Sequence, residues 1–374
     1  MPRRLLYLFN DAGFFLSHRL PVARGAAAAG YEVHVATPGG PAAGDVEALG
    51  FPHHPIALTR RGVNPAAELR ALVQLAGLSR RLRPALVEHA TVKPVLYGGL
   101  ASRVAGSPPA VMWMTGLGFI FIATGRRAAA GRAALAAGYR VALGSARTRV
   151  IFENPDDRDL FITDRLVAAG RARLIRGAGV DMDQFRPSAE EPGVPVVAFV
   201  ARMLRDKGLV EFVAAAKALQ EGGVRARFVL VGGADPGNPA GVSEGELRAW
   251  QEEGAVEWWG HQQDMPGIFR RAHLICLPSY REGLPKALVE AAAAGRAIVA
   301  TDVPGCREVV RHEWNGLLVP ARDAVPLAAA IGRLIADPVE RSRMAARGRA
   351  WVEERFSAAQ VVRETLAVYD ELAE

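Results

Sequence analysis

The first half of the chain alternates short apolar runs with longer stretches whose apolar positions recur every three or four residues. The runs at 4–9 (RLLYLF), 31–37 (YEVHVAT), 51–58, 85–89, 109–115, 149–153 and 171–176 predict strands, with helical patterns between most of them. Strands separated by helices pair in parallel, so this alternation predicts a doubly wound α/β sheet. A stretch rich in Gly, Pro and acidic residues at 177–194 interrupts the pattern and predicts a linker. A second strand–helix series starts at 194–201 (VPVVAFVA) and runs to about residue 350, and one more helix is predicted from Ser357 onward.

Length supports a division into two: 374 residues exceed what one hydrophobic core usually serves. The predicted domains are 1–176 and 195–356. With 50% apolar and 23% charged residues the composition is that of a soluble globular protein. The longest apolar stretch, 110–125, is too short and too broken by glycine to span a bilayer, and no transmembrane helix is expected. Met1 to Arg4 lead straight into LLYLF without an apolar region and cleavage site, so a signal peptide is not expected. Cys276 and Cys306, the only cysteines, lack metal-site spacing and fit a reducing cytoplasm.

Charge divides unevenly. Residues 1–176 carry 23 Lys and Arg against 11 Asp and Glu, a balance of +12, and residues 177–374 carry 23 against 28, a balance of −5, together the +7 of the whole chain. Such a basic first half suits an anionic membrane or a phosphorylated acceptor. Nucleic acid is not expected as a partner, since neither a nucleic-acid module nor an aromatic stacking platform is present.

The most informative stretch is REGLPKALVE at 281–290, which sets Glu282 and Glu290 on either side of a helix start. AHLICLPSY before it reads as a buried strand, and the helix after it closes at Gly295, with Pro285 in the first turn where a missing N–H is harmless. Backbone N–H groups near Gly283 and Leu284 would favour a phosphate. Two carboxylates flanking an anion site suit a diphosphate with hydroxyls on both sides, ribose on one and hexose on the other. Spacing alone also fits a solvated helix face, so the surroundings decide.

Glu282 and Glu290 resemble the E-x7-E motif of the retaining glycosyltransferases of family 4. The likeness extends to GYEVHVATPGG (30–40), VARMLRDKGLVEFVAAAKAL (200–219), FVLVGG (228–233), the segment 258–310 and NGLLVP (315–320). It implies the GT-B fold, two Rossmann-like doubly wound domains facing a central cleft, the first for the acceptor and the second for the nucleotide-sugar donor. The last helix would cross back to the first domain. The resemblance assigns Arg202 and Lys207 to the donor diphosphate, where fixed cations stabilise charge developing on phosphate oxygens. It gives Glu282 to the sugar and Glu290 to the ribose, places Gln262 and Gln263 beside the base, and has Gly13 let the donor phosphate approach the backbone. Glu308 reads as a structural carboxylate. In the first domain, 14–23, 86–106 and 113–121 resemble the subgroup that extends sugars on polyprenyl diphosphate, such as bacterial N-acetylgalactosaminyltransferases. His89, closing a strand, is then expected in the cleft as a catalytic group, with Lys93, His18 and Arg19 on the acceptor. FIFI at 119–122, followed by Arg126, Arg127, Arg132 and Arg140, resembles a membrane-interface segment.

Two weaker signals are set aside. DMD at 181–183 looks like the metal motif of an unrelated transferase fold but falls in the predicted linker, and VGGADPG at 231–237 lacks dinucleotide-fingerprint spacing. The expected protein is a metal-independent, cofactor-free, retaining transferase. It moves a hexose or N-acetylhexosamine from a nucleotide diphosphate, UDP being expected, to a lipid-linked or nascent polysaccharide acceptor, in the cytoplasm or on the inner face of the membrane. The alternatives are a non-hydrolysing UDP-sugar 2-epimerase and a non-enzymatic sugar-nucleotide sensor.

Overall fold

The computed structural model describes residues 3–58, 64–117 and 126–373. The chain forms two units, one of Met1–Ala178 with Ala358–Glu374 and the other of Gly179–Ser357.

The first unit is built on seven strands: β1 (Arg3–Leu8), β2 (Tyr31–Thr37), β3 (His53–Pro55), β4 (Leu86–Ala90), β5 (Ala110–Met114), β6 (Thr148–Phe152) and β7 (Ala172–Leu174). Their order is β3-β2-β1-β4-β5-β6-β7, and every pairing is parallel. Helices cover both faces, which is why β4 and β5 are buried at every position and lack a period of two. The strand order reverses between β1 and β4, and in such sheets ligands gather beyond the carboxyl ends at that switch point.

The helix Ala358–Ala373 belongs to this unit and carries a polar contact into its core. Tyr369 donates its hydroxyl to Glu88 Oε2 at 2.5 Å and lies 2.9 Å from the Tyr7 hydroxyl. All three side chains are fully buried.

The second unit repeats the plan with β8 (Val196–Val200), β9 (Arg227–Val231), β10 (Glu257–Gly260), β11 (Leu274–Leu277), β12 (Ala297–Thr301) and β13 (Leu317–Val319), in the order β10-β9-β8-β11-β12-β13. All pairings are again parallel, and the switch point lies between β8 and β11. The segment expected as a linker is instead fastened to this unit from Gly179 onward. Val180 and Phe185 enter its core. Val180 N–H donates to the Phe356 carbonyl at 2.8 Å, Arg349 to the Phe185 carbonyl at 2.7 Å, Arg296 to Ser188 Oγ at 2.5 Å, and Arg341 lies 2.6 Å from Glu190. Its Gly, Pro and acidic composition reads as loose chain, because the arginines that hold it stand more than a hundred residues further on.

Candidate functional site

In the second unit the switch point is occupied by charged side chains that reach one another. After β8 the chain makes a single turn of 3-10 helix, Arg205–Lys207, closed by Gly208 at φ 75° before the helix Leu209–Glu221. Gly208 is required for two reasons: this left-handed conformation disfavours a side chain, and a Cβ there would stand 2.0 Å from the Pro278 carbonyl oxygen. The close approach lays the turn against the loop after β11, where Tyr280 N–H donates to the Asp206 carbonyl at 2.9 Å. Lys207 Nζ then lies 2.6 Å from Glu282 Oε1, an ion pair mostly withdrawn from solvent. Lys207 and Glu282 are thus brought together across the switch point.

Neighbouring groups stiffen this arrangement. Ser279 donates its hydroxyl to Glu282 Oε1 at 2.6 Å, and Gly305 N–H reaches the Glu282 carbonyl at 3.3 Å. A Cβ on Gly305 would meet the Gly283 carbonyl oxygen at 2.4 Å, so only glycine lets the two segments touch. Tyr280 donates to Glu211 at 2.7 Å, and burial, with that carboxylate beside it, pushes its hydroxyl up to about 12. Burial also raises the Asp206 carboxyl, with Lys207 opposing and Glu282 reinforcing the shift.

Arg202, half-exposed, pairs with Asp235 at 2.7 Å, from the loop after β9. That loop is stitched to its neighbours: Met203 N–H donates to the Gly233 carbonyl, Gly232 N–H to the Gly260 carbonyl at 2.8 Å, and the Trp258 indole to the Gly232 carbonyl at 2.9 Å. Gln262 bonds the Trp259 carbonyl at 2.6 Å, whereas Gln263 is exposed. Glu308 serves structure through its carbonyl, which accepts from the Trp351 indole at 3.1 Å.

The helix after the loop runs Lys286–Ala293 and is followed by Gly295 at φ 68°. Pro285 is its N-cap and not a first-turn residue, a shift of one position. Leu284 packs against the core, and the Gly283 carbonyl faces Gly305. Glu290 is buried on the helix with Lys286 2.6 Å away, and burial raises its carboxyl against the opposing pull of that ammonium. Asp235 and Ser279 were missed from the sequence. A small hydroxyl three residues before Glu282, where a buried strand ends, was the available signal for Ser279.

The first unit corrects two expectations. His89 does not open to a cleft. It is buried beneath the helix Val92–Val104, so close to Gly98 that a Cβ there would stand 2.6 Å from its ring, and its Nε2 lies 3.4 Å from the Ser102 hydroxyl. Burial lowers its pKa to about 3, so the ring stays neutral, is only weakly basic and is enclosed within the core. Arg19 is likewise not open to solvent. It is fully buried over the Trp113 ring at 3.4 Å, with Glu88 at 3.4 Å and Glu153 at 3.8 Å, while Trp113 donates to Glu153 at 3.0 Å. Its charge balances buried carboxylates of the core.

Lys93 stands at the carboxyl edge after β4, 2.7 Å from Glu68 of the helix Pro65–Leu82. His18 stacks on Phe14, ring centroids 4.0 Å apart, beside the Ser17 hydroxyl. Gly13 lies in the first turn of Ala12–His18, next to the N-cap Asp11. The stretch 119–122 and the side chains of Arg126 and Arg127 lie outside the described residues; Arg140 donates to the Asp164 carbonyl at 3.3 Å. In DMD, Asp181 accepts the N–H groups of Asp183 and Gln184, and Asp183 pairs with Arg186. Among the described residues no group of three or more His, Cys, Asp or Glu is placed to hold a metal ion, and no helix is long and apolar enough to cross a membrane.

Comparison with known proteins adds to this geometry. Residues 4–154 match the family described as glycosyl transferase 4-like, and residues 194–337 the glycosyl transferases group 1. The N,N'-diacetylbacillosaminyl-diphospho-undecaprenol alpha-1,3-N-acetylgalactosaminyltransferase of Campylobacter jejuni is 28% identical over 350 residues, 90% of each chain. A UDP-Gal:alpha-D-GlcNAc-diphosphoundecaprenol alpha-1,3-galactosyltransferase of Escherichia coli is 24% identical, covering 75% of this chain and 73% of that one. Among solved structures, sucrose-phosphate synthase of Thermosynechococcus elongatus superposes with a TM-score of 0.82 at 21% identity over 99% of both chains. HepE of Anabaena, solved with UDP and glucose, gives 0.78 at 19% identity over 99% of this chain and 100% of its own. These likenesses show the GT-B fold. With one half matched over 4–154 and the other over 194–337, the chain belongs to the glycosyltransferases, an enzyme with a 4-like first half and a group 1 second half.

Proposed function

We propose that this enzyme transfers a hexose or N-acetylhexosamine, with retention and without a metal, from a uridine diphosphate sugar to an acceptor carried on polyprenyl diphosphate. The observation that carries the reading is the Lys207–Glu282 pair at the switch point of the second unit, with Arg202 and Asp235 alongside. Two cations at one strand edge suit a diphosphate leaving group, whose departure concentrates negative charge there. Glu282 supplies an acceptor for sugar hydroxyls, and Glu290 one for the ribose. The acceptor reading rests on the two undecaprenol-linked relatives, one of them named for UDP-galactose.

In this scheme the departing phosphate helps to deprotonate the acceptor hydroxyl on the same face of the sugar, and the protein supplies no nucleophile. The burial of His89 supports a scheme without a protein base in the first unit. The engagement of Asp181 and Asp183 in their own turn supports one without a metal at DMD. Relatives named as transferases along most of the chain favour neither the epimerase nor the sensor. A polyprenyl acceptor stays in the bilayer, so the basic first half would meet anionic lipids at the inner face; co-sedimentation with anionic vesicles that salt abolishes checks this.

The decisive assay offers the protein UDP-N-acetylgalactosamine, UDP-N-acetylglucosamine, UDP-galactose, UDP-glucose and GDP-mannose with a polyprenyl-diphosphate-linked sugar. An α-linked product from a UDP donor is expected. An inverted anomer or transfer from the GDP sugar alone would sink the reading, and an epimer formed from UDP-N-acetylglucosamine without acceptor would favour the alternative enzyme.

A further inference from the structure

Glu282 is held in an uneven way. Both Ser279 Oγ and Lys207 Nζ meet the same carboxylate oxygen, Oε1, each at 2.6 Å, and among the described residues no donor is seen on Oε2. A terminal carboxylate torsion is broad, so left to itself the Glu282 carboxylate plane would swing. Two donors on one oxygen fix that plane and leave the other oxygen for a further hydrogen bond.

The two donors differ in how firmly they stand. Lys207 is a flexible ammonium that keeps some exposure, and on the function proposed above it must also serve a diphosphate. Ser279 is fully buried at the end of β11, and the buried Thr301 hydroxyl, at the end of β12, donates to its backbone carbonyl. β11 and β12 are in register up to Leu277 and Ala300, so Thr301 sits on rigid sheet. When a diphosphate draws part of the Lys207 charge away, the Ser279 hydroxyl is the contact that stays.

We propose that Ser279, braced by Thr301, is a positioning residue that fixes the Glu282 carboxylate so that Oε2 receives a hydroxyl of the donor sugar, and so contributes to recognition of the sugar and not of the nucleotide. This rests on the reading of Glu282 as the sugar-holding carboxylate. No bond is made or broken in this step.

The test measures the affinities of UDP and of UDP-N-acetylgalactosamine for the full chain by calorimetry, with a thermal melt of each variant. Ser279→Ala should weaken the UDP-sugar about tenfold or more, the loss usual for a hydrogen bond to a charged group, while UDP changes by less than about twofold. Thr301→Val, which keeps the shape but loses the hydroxyl, should move the same ratio in the same direction by less. Intact UDP binding shows in each case that the variant is folded. The proposal is overturned if Ser279→Ala weakens both ligands equally, or if it leaves the ratio unchanged while Glu282→Gln shifts it. If Glu282→Gln itself leaves the ratio unchanged, the sugar-holding role fails and this proposal falls with it, a result the two variants tell apart.

Discussion

Replacing Gly208 by alanine probes how tightly the lysine-bearing turn is pressed onto the loop after β11. Two costs follow from the geometry. Gly208 lies at φ 75° and ψ 25°, where a residue with a Cβ is disfavoured by roughly 1–2 kcal/mol. The added Cβ would also stand 2.0 Å from the Pro278 carbonyl oxygen, a backbone atom that cannot rotate away. Relieving it requires the turn and the loop to part, and overpacking of this kind costs about 1–3 kcal/mol. The sum is a destabilisation of roughly 2–5 kcal/mol. Separation by about an ångström would carry Lys207 from Glu282, a misplacement able to lower turnover on the order of a hundredfold. A natural control lies in the same unit: Gly223 has φ 81° but nothing within 4 Å of a built Cβ. Gly223→Ala should therefore show the conformational cost alone, with transfer nearly intact. Urea unfolding followed by tryptophan fluorescence, together with steady-state transfer, reads both quantities. Equal effects of the two substitutions, or full activity in Gly208→Ala, would refute the close approach as the device that places Lys207.

Three further outcomes are expected. Lys207→Ala or Arg202→Ala should each lower kcat by about a hundredfold to a thousandfold, the usual loss of one preorganised charge-stabilising group, and near-normal turnover would remove them from the diphosphate. Transfer should persist in EDTA; a loss reversed by magnesium would reopen DMD as a metal site. Because burial holds His89 neutral with a pKa of about 3, the unfolded chain takes up its proton first as pH falls below about 6.5. Stability from this site is complete above that pH and is lost toward pH 3, by about 2 kcal/mol at pH 5. His89→Gln should flatten that acid limb in urea unfolding at pH 7.5 and 5, and parallel losses in both proteins would show that other groups set it.

Local pattern located the strands to within a few residues, since each is a short apolar run bounded by turns, and it placed Arg202, Lys207 and Glu282 at strand ends that the fold does bring to one edge. Side-chain direction was harder to read. β4 is buried at all five positions, so alternation could not tell that His89 turns beneath a helix. The resemblance sets Arg19 on the acceptor from its place with His18 at a predicted helix start, a position that does not tell whether the side chain turns to the core. Its partners Glu88 and Glu153 are far along the chain, and only the folded sheet brings them beside Trp113.

The C-terminal helix has a consequence for the order in which the chain can mature. Tyr369 reaches Glu88 across 281 residues of sequence and closes the polar core that Tyr7 begins. A ribosome therefore releases the whole second unit before the residues that complete the first. Until residues 358–373 emerge, the nascent first unit holds a buried Glu88 without its tyrosine donor and leaves the apolar face that Val361, Val368 and Leu372 cover open to solvent. The sheet translated first is the one finished last.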